Sequence, residues 1–392
     1  MKSLIKLPKL FMIFVGVWPS KFVLNQHTRR IYNVYRISFV AIFILFYMSL
    51  ATECLLLITN SSQTERANSA SSILISVSIG AIINFTYYIN ELALMYELIA
   101  TVEMEVFNMK YDNDIRRSYE NTLKYAKYLY TSIIIPSAFS VITYTVTAFA
   151  ELKTVGYSGW DFNKKSFMYE LYIPVDKFKY FNWIILFNLY VGFVCVALHV
   201  VYHIMFYGLV VFAAEQLKSI QIRIRKFDKI AHEANVDSHS IIKRFVVDHQ
   251  DLLKFVNSLN QKVKFPILLE FCVQSFTAAS VLFQIITTRS AADLVFPSIF
   301  ILIVSLEILA LGWTSNEIKI QSLSIGDAIY ESLWYKQDEY TKKLLLIMVT
   351  QAQKPLSLTI GPFQPMTTDT IIFTAKASYS YLTLMKNLLK KY

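Results

Sequence analysis

The chain reads as an all-α membrane protein. Seven transmembrane helices, a cytoplasmic N-terminus, an extracellular C-terminus and a helical cytoplasmic anchor are expected. Three observations predict this. Of 392 residues, 55% are hydrophobic and only 17% charged, with mean hydropathy +0.43, whereas soluble domains carry about 25% charged residues. Six apolar runs are each long enough to cross about 30 Å of hydrocarbon, and a weaker one follows. Between those runs Lys and Arg number 27 on the side of the N-terminus and 10 on the other. Basic residues collect in cytoplasmic loops, which places the N-terminus inside.

The N-terminal stretch Leu10 to Trp18 predicts a short amphipathic helix in the inner interface, with Trp18 as its anchor and Pro19 as its stop. Lys2, Lys6 and Lys9 precede an apolar run too short for a signal peptide, with no small-residue cleavage site, so the segment is expected to be retained. Spans one and two are placed at Ile37–Ile58 and Ala70–Ile89. The sequon at Asn60 falls in the outer loop between them, and the one at Asn84 lies inside span two. The connection to span three mixes Glu with Lys and Arg at helical spacing, which predicts a solvated helical extension. Span three is Tyr130–Ala150 and span four Phe181–Phe206. The loop between them, Tyr157 to Lys179, carries seven aromatics and is expected to fold down over the outer face. A basic helical stretch, Glu215 to Lys264, leads to span five, Phe265–Ile286, and span six, Leu294–Gly312. A second helical stretch runs from Gly312 to Met348, and span seven from Phe363 to Leu384.

The same residues exclude several functions. Cys54, Cys195 and Cys272 all fall inside spans, so no outer-loop disulfide is expected and packing is their expected role. The net charge of +10 reports the basic cytoplasmic side rather than a nucleic-acid partner. There is no catalytic constellation and no glycine-rich phosphate loop among nine glycines. No metal ligands and no cofactor are expected: His199 and His203 lie four apart, but no carboxylate or cysteine joins them in sequence, so they read as packing residues. Glu53, Glu151 and Glu270 lie near span ends and can snorkel. With no inverted repeat, they argue against a proton-coupled transporter. A G-protein-coupled, metabotropic receptor would need the opposite topology and an outer disulfide.

Span seven is too rich in hydroxyls to face lipid and is better placed around water. Thr370, Thr374, Ala377, Tyr381, Leu384 and Leu388 recur at spacings of three and four, along one helix face. That face begins polar and ends aliphatic, a pattern suited to a conduit closed by a dewetting ring.

Longer motifs carry a family resemblance. Gly16-Val17-Trp18-Pro19, the stretch from Gly312 through Ser322, Ala328-Ile329-Tyr330 and Trp334-Tyr335, then Lys354-Pro355-Leu356 with Thr359, and finally Ser378-Tyr379-Ser380-Tyr381 occur in order. Together they resemble the insect odorant receptors across essentially the whole chain. The Thr-Tyr…Gln-Phe signature of gustatory relatives is missing, leaving a gustatory-type channel as the alternative. The loop between spans four and five is shorter than in the family's co-receptor, so the chain looks like a ligand-specific tuning subunit.

The resemblance implies an odorant-gated, non-selective cation channel, built as a heterotetramer with the olfactory co-receptor. Its expected place is the plasma membrane, in the dendrites of olfactory sensory neurons, with lipid around it and a volatile small molecule as ligand. It implies gate positions at Leu384 and Leu388 with Asn387 beside the pore, while the helical spacing puts Tyr381, Thr374 and Thr370 on the same expected pore face. It implies an odorant pocket in the outer halves of spans two, three, four and six. The candidates there are Ile79, Ile83, Thr143, Tyr144, Thr147, Phe187, Tyr190, Val191, Phe296 and Phe300. The expected organisation is an N-terminal cytoplasmic segment (1–35), spans one to six with the ligand-binding bundle (36–312), an anchor and linker (313–362), and a pore helix with its tail (363–392).

Overall fold

The N-terminal element α1 (Lys6–Phe14) begins four residues before the expected helix and ends just ahead of the Gly16-Val17-Trp18 stretch expected to break it. Gly16 takes φ +74°, a conformation that costs a side chain-bearing residue about 1–2 kcal/mol. There the N–H groups of Gly16 and Val17 reach back to the carbonyls of Ile13 and Met12. Trp18 is no interfacial anchor: it is 3% exposed, with the Lys9 ammonium 5.0 Å from its ring centroid. The computed structural model describes residues 3–18, 26–59, 92–108, 113–155, 171–172, 174, 179–287 and 294–389. Span two, both sequons, Pro19 and most of the long outer loop lie outside these residues.

The remaining helices are α2 (Gln26–Thr59), α3 (Leu92–Asn108), α4 (Asn113–Val155), α5 (Phe181–Arg225), α6 (Phe227–Ala234), α7 (Ser238–Thr287), α8 (Val295–Tyr330), α9 (Glu339–Ala352) and α10 (Asp369–Leu389). Among the described residues, α2, α5, α7 and α8 are long and apolar enough to cross a membrane. The third expected span lies in α4 and most of the seventh in α10, which begins at Asp369 rather than Phe363; both helices carry more polar residues. At 1.5 Å per residue α5 extends about 68 Å and α7 about 75 Å. Each overshoots the hydrocarbon by tens of ångströms, so span and basic extension form one continuous helix.

α5 is the axis of the bundle and packs against α4, α7 and α8. From Val200 to Ala214 every residue of α5 is buried, as expected for a helix apolar on all sides. Tyr96 on α3 donates to the Met205 carbonyl at 2.7 Å, tying that helix to the axis. Leu171 is buried, and Tyr172 exchanges two hydrogen bonds with Ser49 of α2. At this point the outer loop does fold onto the bundle. None of the three cysteines is in a disulfide; Cys54 is buried as expected, whereas Cys272 is exposed.

The expected helical stretch after Gly312 is broken. α8 ends at Tyr330, and the 3-10 turn Trp334–Lys336 (η1) leads to α9. Asp338 caps α9 by accepting from the N–H groups of Tyr340 and Thr341. Hydrogen bonding from Thr341 holds the Asp338 carboxyl below its ordinary pKa. Its folded-state value lies below the unfolded one, near about 3.9. The cap's contribution is therefore complete above that unfolded value and is lost as pH falls through the lower folded one. Asp338→Asn keeps an acceptor without titrating, so the variant should lose less thermal stability on acidification than wild type. Parallel acid melting curves would remove Asp338 from the account.

The Lys354-Pro355-Leu356…Thr359 motif acts as a fastening. The Leu356 N–H donates to Ser322 Oγ at 3.0 Å, and Thr359 donates from its N–H (2.8 Å) and Oγ1 (3.1 Å) to Asn260 Oδ1. Thr359–Ile360 (β1) pairs antiparallel with Gln364–Pro365 (β2). Gly361 turns this hairpin at φ +54°, and its N–H donates to the Lys264 carbonyl at 2.8 Å. A Cβ there would lie 2.9 Å from the Leu268 side chain. These bonds set where α10 begins and seat it on α7 and α8.

Candidate functional site

Span seven divides into two halves. Thr370, Thr374 and Ser378 are buried against the chain's own helices, at 2%, 3% and 5% exposure. Their hydroxyls are satisfied locally: Thr374 Oγ1 donates to the Thr370 carbonyl and Ser378 Oγ to the Thr374 carbonyl, while Thr370 Oγ1 accepts from the Thr367 N–H. Thr370 and Thr374 therefore depart from the expected open stripe. Hydroxyls four apart can bond the preceding turn of their own helix and pack against protein as readily as they face water. Farther along, Tyr381 and Leu384 are 45% and 58% exposed, and Ala377 lies between the two environments. Leu388 and Asn387 fall on α10, but their side chains lie outside the described residues.

Among the described residues, the expected ligand residues differ widely in exposure. Val191 is 3% exposed, whereas Phe187 and Tyr190 on the same helix are 43% and 49% exposed. Thr143 spends its hydroxyl on the Phe139 carbonyl at 2.9 Å. Phe300 packs on Ala278, Val304 and Ile308, in a small apolar cluster between α7 and α8. Ile79 and Ile83 lie outside the described residues, as do the side chains of Tyr144, Thr147 and Phe296. A cavity of about 290 Å³ does form nearer the basic extensions, among Tyr125, Ala214, Glu215, Lys218 and Trp313. Thr122 donates to Glu215 beside it. Its charged lining differs from what a volatile apolar ligand needs.

The polar feature that sequence reasoning missed is a largely buried cluster where α5, α7 and α8 meet. His199 and His203 on α5 meet Glu307 from α8 and Glu270 from α7. His199 Nε2 lies 2.6 Å from Glu307 Oε1. His203 Nε2 is 3.6 Å from Glu270 Oε1 and 3.7 Å from Glu307 Oε2. Gln274, one turn beyond Glu270, donates to Glu270 Oε1 at 2.8 Å and to Glu307 Oε2 at 3.3 Å. The expectation that no carboxylate joins the histidines is overturned, as is the expectation that Glu270 snorkels. The histidine pair, Glu270 and Glu307 lie on three helices far apart in sequence, and only helix packing brings them together. Intramembrane position combined with i, i+4 spacing on two helices (His199/His203 and Glu270/Gln274) was the available signal.

With this geometry in place, similarity to known proteins identifies the fold. The 7tm Odorant receptor profile matches residues 63–379. The chain belongs to the 7tm odorant receptor family. Odorant receptor 10 of Aedes albopictus is 28% identical over 56% of this chain and 59% of its own length. Odorant receptor Or2 of Anopheles gambiae is 28% identical over 45% and 48%. The matched regions thus span about half the length of these curated relatives. The structure of the insect olfactory receptor OR5 from Machilis hrabei in complex with eugenol superposes with TM-score 0.77. That match covers 98% of this chain and 97% of that one at 18% identity, a likeness of fold. The receptor is accordingly an all-α membrane protein of a chemoreceptor family, not an enzyme.

Proposed function

We propose that this receptor is the ligand-specific subunit of an odorant-gated, non-selective cation channel, assembled with the olfactory co-receptor in the plasma membrane of sensory neurons. The observation that carries this reading is the exposed outer half of α10, where Tyr381 and Leu384 project from a helix whose other face is buried. A half-polar helix of this kind needs partners at membrane depth, and equivalent helices around a shared axis supply them. In this arrangement Leu384 and Leu388 form the apolar constriction, with Asn387 beside it. Thr370 and Thr374 seat the helix on α7 and α8 rather than touching the conduit.

The N-terminus lies in the cytoplasm, and α9 with the extensions of α5, α7 and α8 forms the anchor below the membrane. The odorant, a small apolar volatile of the class that eugenol represents for the Machilis receptor, sits in the outer bundle. Its pocket is drawn from Ile79, Ile83, Thr143, Tyr144, Thr147, Phe187, Tyr190, Val191, Phe296 and Phe300. Aromatic and aliphatic groups provide shape there, and a hydroxyl provides one hydrogen bond. The odorant opens the channel only in proportion to its preference for the open state.

Voltage-clamp recording tests this in cells expressing the chain with and without an insect co-receptor. Fast odorant-evoked cation currents that need the co-receptor and survive a block of G-protein signalling are expected. Currents abolished by that block would establish a metabotropic receptor instead.

A further inference from the structure

We propose that His199, His203, Glu307 and Glu270 form a binding site inside the helix bundle for a divalent transition metal ion of the zinc class. The site joins α5, α7 and α8 at one point. It rests on side-chain geometry alone and is independent of the channel reading.

The donor atoms of His199, His203 and Glu307 all lie within 4.8 Å of one another. Tetrahedral zinc with bonds of about 2.0–2.2 Å places its ligand atoms roughly 3.3–3.6 Å apart. The separations of His203 Nε2 from Glu270 Oε1 and Glu307 Oε2, 3.6 and 3.7 Å, are close to such tetrahedral edges. His199 Nε2 reaches the other oxygen of Glu307 and closes the set from the open side of the bundle.

His203 is the second, independent observation. It is fully buried, and neither ring nitrogen has a hydrogen-bond partner. A buried polar side chain with no partner is costly and uncommon. Here its Nε2 faces two carboxylates, each too far for a hydrogen bond and well placed to share an ion. Two neighbouring carboxylates in a low-dielectric interior also call for positive charge, and a divalent cation balances both.

The donor set selects the metal. Imidazole nitrogens with carboxylate oxygens suit zinc and its neighbours, whereas calcium and magnesium prefer all-oxygen shells. Gln274 supplies the outer layer such sites need, because its amide donates to one oxygen of each carboxylate and fixes their orientation. The His199 side chain is 43% exposed, so this ligand sits at the rim of the site while the others are buried.

The test is metal analysis of the full-length protein purified in detergent, stripped with chelator, incubated with zinc and passed through gel filtration. Wild type should retain about one zinc per chain, which excess calcium or magnesium fails to displace. Cobalt in its place should give the intense visible absorption of a tetrahedral centre. His203→Ala and Glu307→Gln should retain no zinc. His199→Ala, altered at the half-exposed rim, should elute as wild type and bind zinc at least about tenfold more weakly. Folded wild-type protein without zinc would overturn the site, as would His199→Ala and His203→Ala proteins that bind zinc as wild type does.

Discussion

Leu384→Ala and Leu388→Ala channels should carry current at rest, before any odorant is applied. Leu384 is 58% exposed on a single chain, at the end of α10 that emerges from the buried stripe of Thr370, Thr374 and Ser378. In the proposed assembly it meets its counterparts across the axis and closes the conduit by excluding water. Leu→Ala removes three carbons, and burial contributes about 0.8 kcal/mol per methylene. If closure buries half of those carbons, the closed state is weakened by about 1.2 kcal/mol per subunit, or roughly eightfold in resting open probability. Whole-cell recording of odorant-independent leak, with surface expression matched by labelling, reads the effect. Resting current unchanged in both variants would place the constriction elsewhere. Thr374→Val should leave the leak unchanged, because Thr374 is buried and its hydroxyl returns to the Thr370 carbonyl.

The contrast between Leu384 and Thr374 shows where sequence reading succeeds. Helix existence and the apolar spans follow from hydropathy and length, and α2, α5, α7 and α8 lie where those runs placed them. The Lys354-Pro355-Leu356…Thr359 motif was recognisable as a signature, but its role was not. Ser322 and Asn260, which accept its N–H groups, lie 34 and 99 residues away. Periodicity places Thr370 and Thr374 on one face with Leu384, yet it cannot say which part of that face meets the chain's own helices. The polar centre was hidden for the same reason. His199 and Glu307 are 108 residues apart and meet only because α5 and α8 pack side by side. Local spacing reports which residues share a helix face, and tertiary packing decides what that face touches.

Glu103 gives the second large effect, in a segment whose charges read as a solvated helical face. It is 4% exposed on α3 and collects donors from two directions. The Leu4 N–H donates to Oε1 at 2.8 Å, Tyr119 Oη donates to the same oxygen at 2.9 Å, and Ser3 Oγ donates to Oε2. Leu4 and Tyr119 are themselves buried, so water cannot take over these bonds. Tyr130 adds a longer bond to the Leu4 carbonyl, which marks this as the place where the N-terminal segment is held to α3 and α4. Glu103→Ala strands two buried donors at about 1–3 kcal/mol each, for a loss of roughly 3 kcal/mol. Glu103→Gln keeps an acceptor for Leu4 and Tyr119 and should lose about 1 kcal/mol or less. Thermal unfolding in detergent separates the two variants. Limited trypsin cleavage at Lys6 and Lys9 reports whether the N-terminal segment has come away. Faster cleavage in Glu103→Ala, with Glu103→Gln close to wild type, is the expected pattern. Equal stability and equal cleavage in all three proteins would mean that α1 is held by its apolar contacts with α5 alone.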